Sequence, residues 1–109
     1  MDNPYLVIYC TCPDQAVAER IANALVGERL AACVNIVPGI TSIYHWQGGV
    51  HREPELLLLI KSRRDVYPAL EARICALHSY EVPEIIALPI QQGSAAYLAW
   101  LDVGLATAT

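Results

Sequence analysis

The chain has 109 residues, of which 55% are hydrophobic and only 17% charged, with a formal net charge of −4. That length leaves room for one domain, residues 1–109. Its scattered Lys and Arg form no basic stripe, which excludes nucleic acid as an expected partner. Apolar runs such as Leu56 to Ile60 are too short to span a bilayer, so no membrane association is expected.

Asp2 leads directly into a strand-like run, without the basic start and small-residue cleavage site of a secretory signal. The expected compartment is therefore cytoplasmic, and the four cysteines, Cys10, Cys12, Cys33 and Cys75, are expected as free thiols. Tyr5 to Thr11, rich in β-branched and aromatic residues, predicts a first strand. Asp14 is placed to cap a helix running to about Leu30, with Val17, Ile21 and Leu25 on one stripe. Ala32 to Gln47 predicts a long second strand, bent or bulged at Pro38–Gly39. Gly48–Gly49 signals a hairpin, and Val50 to about Ser62 continues it as a third strand.

Asp65 is expected to cap a second helix, with Pro68 in its first turn and Val66, Leu70, Ile74 and Leu77 on its buried face. Glu84 to Ile90 predicts a fourth strand, and Ser94 a cap for a short last helix through Leu101. The order βαββαβ plus a terminal helix predicts an α+β, ferredoxin-like fold with an antiparallel sheet and two main helices on one face.

In that topology the first and third strands are central, and their apolar side chains occupy both faces. Two helices cover one face only. The other is expected to be buried in a homo-oligomer. The second and third strands, at roughly 13–15 residues, also exceed the usual 3–10, so the hairpin tip is expected to reach a neighbouring subunit. A hairpin bent back on its own domain is the alternative.

The segments LAACVNIVPGITSIYHWQG (Leu30 to Gly48), ELLLLIKSR (Glu55 to Arg63), HSYEVPEIIALPI (His78 to Ile90) and YLAWL (Tyr97 to Leu101), together with YLVIYCTCPD at the first strand, resemble the CutA divalent-cation tolerance family. The resemblance spans essentially the whole chain. It implies a homotrimer with the architecture of PII signalling proteins, of the bacterial type, and tolerance to divalent metals, copper above all. It brings neither an organic cofactor nor a catalytic activity. Nor does the chain show a Ser-His-Asp order, a nucleotide loop or a paired-carboxylate cleft, so no enzyme is expected. Ser79 stands where the family usually has Pro, His51 and Pro54 interrupt an acidic stretch, and Cys12 is an extra thiol.

Thiols and imidazoles suit copper or zinc. Cys10 and Cys12, two apart on a strand, project to one face. Each reads either as a soft-ion ligand or as a small buried apolar side chain. By resemblance, Cys10 matches a proposed copper ligand of the family, and His78 begins its His-x-Tyr-x-x-Pro-Glu stretch. Without that resemblance, His78 reads as a cation at a helix C-terminus. The expected metal set is Cys10, His78 and Glu84, Glu84 alternatively serving as a hydrogen-bond acceptor at a subunit seam. Cys33 is read as core before ligand, Cys75 as packing, and His45 and His51 as exposed. The resemblance also places Tyr44, Trp46, Lys61 and Tyr80 about an inter-subunit cleft. These would bind a small anionic metabolite in a PII-like alternative, or form an interface in which Lys61 pairs with Glu84.

Overall fold

In a computed structural model describing residues 3–106, strand β1 runs Tyr5–Cys12, helix α1 Gln15–Gly27, β2 Cys33–Trp46, β3 Gly49–Arg63, α2 Tyr67–Leu77, β4 Ile85–Pro89 and α3 Ala95–Gly104. Asp2, from which the compartment was read, lies outside the described residues. All strand pairs are antiparallel, in the order β2-β3-β1-β4, so the two expected strands are central.

Alternation along β1 sends Leu6, Ile8, Cys10 and Cys12 to one face, where they pack with Ile21 and Leu25 of α1 and Leu70 and Ile74 of α2. Register pairs Ile8 with Ile60 and Cys10 with Leu58, so β3 adds its own buried residues to this core. The opposite face keeps its apolar side chains. Tyr9 faces Leu59 and Ile86, Val7 faces Leu88, and Ile86 and Leu88 remain 51% and 40% exposed. No helix of the first pair covers this second face, as the two-sided apolar runs require.

Asp14 caps α1 as expected, accepting the amide of Val17 at 2.9 Å, and Ser94 caps α3 by accepting that of Tyr97 at 3.1 Å. Helix α1 stops at Gly27 instead of about Leu30, because Arg29 turns left-handed (φ 61°) and the amides of Leu30 and Ala31 fold back onto the Leu25 carbonyl. Asp65 does not cap α2. Its carboxylate binds the Arg63 guanidinium at 2.8 and 3.0 Å, and the cap position falls to Val66, which offers no side-chain acceptor. An ion pair here outcompetes a local cap.

The hairpin turn is Gln47–Gly48, one residue earlier than the glycine pair suggests. Both have positive φ, 47° and 80°, and Trp46 pairs with Gly49, the pattern of a type I′ turn. The bulge falls between Val37 and Ile40, where Pro38–Gly39 placed it, and Gly39 takes φ 79°. The hairpin extends away from the body, with Ile43, Trp46 and Val50 67%, 58% and 74% exposed. Helix α3 continues past Leu101 to Gly104. Leu101 and Leu105 form a small second core with Val66, and Asp102 accepts from both Tyr5 Oη (2.6 Å) and Arg63 (2.9 Å). Among the described residues no helix is long and apolar enough to cross a membrane.

Candidate metal centre and adjoining cleft

The two thiols of β1 share the helix-covered face, and both are fully buried. His78 follows the last residue of α2 in an extended conformation (ψ 146°), which folds its ring back over the end of β1. The three side chains bring their donor atoms within 4.8 Å of one another, the one such trio of His, Cys, Asp or Glu among the described residues. Ligands sharing one zinc or copper ion stand about 3.5–4 Å apart, so a small contraction closes the set.

Both ring nitrogens of His78 are engaged. Nε2 lies 2.8 Å from the carbonyl oxygen of Thr11, which only accepts, and Nδ1 takes the amide of Tyr80 at 3.0 Å. These bonds select the Nε2–H tautomer with Nδ1 as acceptor. That is the bonding of an uncharged imidazole, not of a cation stabilising the helix end. A metal ion must displace one of the two partners to reach the ring.

The thiols are unequal. The hydrogen bond to Cys12, reinforced by burial, pushes the Cys10 thiol well up, and the same bond from Cys10 brings Cys12 below the usual thiol range. The donor set, two sulfurs and one imidazole, suits soft and borderline ions.

Glu84 stands apart from this trio. It is exposed and lines a cleft of about 750 Å³ on the far side of β1's end, together with Glu55, Glu81, Tyr44, Trp46 and Tyr80. Tyr80 Oη donates to Glu55 Oε2 at 2.7 Å, and Glu55 is only 8% exposed. Burial, then the Glu55 carboxylate, raises the Tyr80 phenol above its ordinary value. Tyr44 stacks on His51 with ring centroids 5.7 Å apart.

Lys61 does not join the aromatic residues in the subunit. Register sets it opposite Cys33 and Val7, at the other end of β3, where its ammonium donates to the Asn35 side chain and not to Glu84. Cys33 is half-buried on β2, while the helical phase of α2 leaves Cys75 exposed, not packed. His45 is exposed, and His51 is half-buried, with Nε2 3.1 Å from the Trp46 carbonyl. Glu55 escaped the sequence reading. The one signal for it was phase: it lies two residues before Leu57 on the same strand face.

Comparison with known proteins adds a consistent set of relatives. Residues 6–103 match the family described as CutA1 divalent ion tolerance protein. The Divalent-cation tolerance protein CutA of Thermus thermophilus is 59% identical over 95 residues, covering 87% of this chain and 92% of that protein. Protein CutA 1, chloroplastic, of Oryza sativa is 49% identical over 98 residues; the chain matches 55% of its length. The solved structure of the divalent cation tolerance protein (Cut A1) from Thermus thermophilus superposes with a TM-score of 0.91 at 55% identity, covering 94% of this chain and 99% of that one.

Proposed function

The chain belongs to the CutA1 divalent ion tolerance family, and on that footing we propose that it is a single-domain, homotrimeric metal-binding protein of the cytoplasm, not an enzyme. It binds copper, or another borderline divalent metal ion, in the response to metal ions. The observation that carries this reading is the convergence of Cys10, Cys12 and His78 within 4.8 Å. The ligand set is then Cys10, Cys12 and His78, with Cys12 in the place expected for Glu84. Assembly is supported by the uncovered sheet face, where Ile86 and Leu88 stand exposed on β4 beside Tyr9 and Val7.

The test is competition of the reduced protein for Cu(I), and direct titration with Cu(II) and Zn(II). Thiolate ligands contribute more to a soft-ion site than a carboxylate does. Cys10→Ser and Cys12→Ser should each weaken Cu(I) binding far more than Glu84→Gln, with the oligomer intact in all three. Equal affinity in wild type, Cys10→Ser, Cys12→Ser and His78→Ala overturns the site. The alternative, an anionic metabolite in the cleft, is not favoured by the subunit: the charged side chains lining it are Glu55, Glu81 and Glu84.

A further inference from the structure

The two thiols of β1 are a pair as well as part of a trio. Cys10 and Cys12 project from alternate positions of one strand into the same core, and their sulfurs share a hydrogen bond. Cα atoms two residues apart on a strand stand about 6.4–6.8 Å from each other, at the upper end of the roughly 4.4–6.8 Å that a disulfide spans. A bridge between them therefore needs a small contraction of the backbone, and β1 is least restrained where that contraction falls. Cys10 is paired on both sides, with Leu58 of β3 and Ile85 of β4. Cys12 is paired with Leu56 of β3 alone, because β4 begins opposite Cys10, and the chain bends at Pro13 immediately after it. A bridge closed against strand geometry carries strain and is readily reduced, which is the property of a switch and not of a permanent staple.

The surroundings select the oxidant. Both sulfurs are fully buried on the helix-covered face, so neither the hairpin nor the open sheet face has to be free. The His78 ring lies against them and is itself 9% exposed, while residues 79–82 beyond it are exposed. Movement of one ring makes room for a molecule as small as a hydroperoxide, and far too little for a bulky disulfide such as oxidised glutathione. We infer that Cys10 and Cys12 close a reversible intrachain disulfide under a hydroperoxide, which withdraws both sulfurs from a metal ion. In the first step one sulfur attacks the peroxide, the O–O bond breaks, an S–O bond forms, and the sulfenic acid is left with one water released. In the second the other sulfur displaces that hydroxyl, an S–S bond forms and a second water leaves. The two thiols give up two electrons and two protons, and hydrogen peroxide becomes two waters. The pairing stands on the geometry of β1; only its effect on metal rests on the reading of the trio as a metal site.

The pairing is tested without metal. The reduced protein is treated with hydrogen peroxide, quenched with catalase, unfolded, alkylated and cut with trypsin. Cleavage after Arg20, Arg29 and Arg73 leaves Cys10 with Cys12 on one peptide and Cys33 and Cys75 on two others. The expected first peptide is lighter by two hydrogens and carries no alkyl group, and it takes up two alkyl groups when dithiothreitol precedes alkylation. Cys12→Ser should give no such peptide. Cys10 and Cys12 still free after peroxide has oxidised the exposed Cys75 would overturn the proposal. So would sulfinic acids that dithiothreitol does not restore, or a link to Cys33, Cys75 or a second chain. In a separate arm, protein carrying the disulfide competes for Cu(I). Its affinity should fall at least about tenfold, since the thiolate is the ligand, and return after dithiothreitol and desalting. A disulfide that forms and leaves Cu(I) affinity unchanged overturns the withdrawal of metal together with the metal reading, whereas a pair that never closes overturns the disulfide alone.

Discussion

The hydroxyl of Tyr80 donates to Glu55 at 2.7 Å, joining the loop after α2 to the middle of β3. Glu55 lies in the strand where its exposure falls to 8%, so losing this donor leaves a mostly buried carboxylate short of a partner. Tyr80→Phe keeps the ring and removes only the hydroxyl. The expected cost is about 1–3 kcal/mol, read from urea denaturation at fixed protomer concentration, since an oligomer's apparent stability depends on it. An unchanged midpoint would show that water serves Glu55 as well as the phenol does.

Leu58 is fully buried between Cys10 on β1 and Ile36 on β2. Leu58→Asp puts an unpaired carboxylate among apolar side chains, at a cost of several kcal/mol, and should abolish soluble expression. Leu58→Ala tests the same position more gently, with an expected loss of about 2–5 kcal/mol. A soluble Leu58→Asp protein with a normal melting temperature would contradict the burial of this strand.

The uncovered face of the sheet makes a separate forecast. Light scattering at micromolar concentration should give the mass of a trimer. Lys in place of both Ile86 and Leu88, which are half-exposed on β4, should split it while the far-ultraviolet circular dichroism of the subunit survives. A trimer unaffected by both charges would place the contact elsewhere, and a wild-type monomer would remove the assembly altogether.

Arg63 bridges Asp65 and Asp102, at 2.8 and 2.9 Å. The carboxyl of Asp65 is held below its ordinary value chiefly by Arg63, and that of Asp102 first by the Tyr5 hydroxyl and then by Arg63. A carboxylate whose folded pKa is depressed adds stability that is complete above its unfolded pKa, about 3.9, and is lost as pH falls through the folded value. Asp102→Asn should therefore flatten the acid limb of the stability curve below about pH 4 and lower the plateau above it. Asp65 and Asp102 are 39% and 41% exposed, so solvent screening keeps the effect small. Stability curves that stay parallel from neutral pH to the acid limb would rule the bridge out as a contributor.

The central position of β1 and β3 was legible because Leu6 to Tyr9 and Leu56 to Ile60 are apolar on consecutive positions, which only a strand buried on both faces tolerates. The caps at Asp14 and Ser94 were legible because a cap bonds within three residues. Asp65 misled because two local partners compete for it: Arg63, two residues back and itself anchored on Asp102 of α3, takes the carboxylate that a cap would have used. The shared face of Cys10 and Cys12 follows from strand alternation alone. That His78 closes over them depends on how α2 ends in space, which no local pattern encodes. Glu55 looked like any exposed carboxylate, and its donor Tyr80 is remote in sequence. Within one subunit Lys61 stands apart from the aromatic residues for a reason that hairpin register already contained: Tyr44 pairs with His51 near the tip, whereas Lys61 pairs with Cys33 at the base.

The double engagement of the His78 ring has a kinetic consequence. At the proposed site a soft ion arriving at the end of β1 would meet two buried thiols, which must lose protons to ligate, and an imidazole whose nitrogens are both occupied, by Thr11 and by Tyr80. Uptake should then divide into a rapid capture on sulfur, faster with more metal, and a slower recruitment of the ring whose rate levels off as metal is raised. Because the amide of Tyr80 is one of the two bonds that recruitment can break, the slow step at the proposed site would be the one that carries occupancy from the buried sulfur pair to the loop walling the cleft.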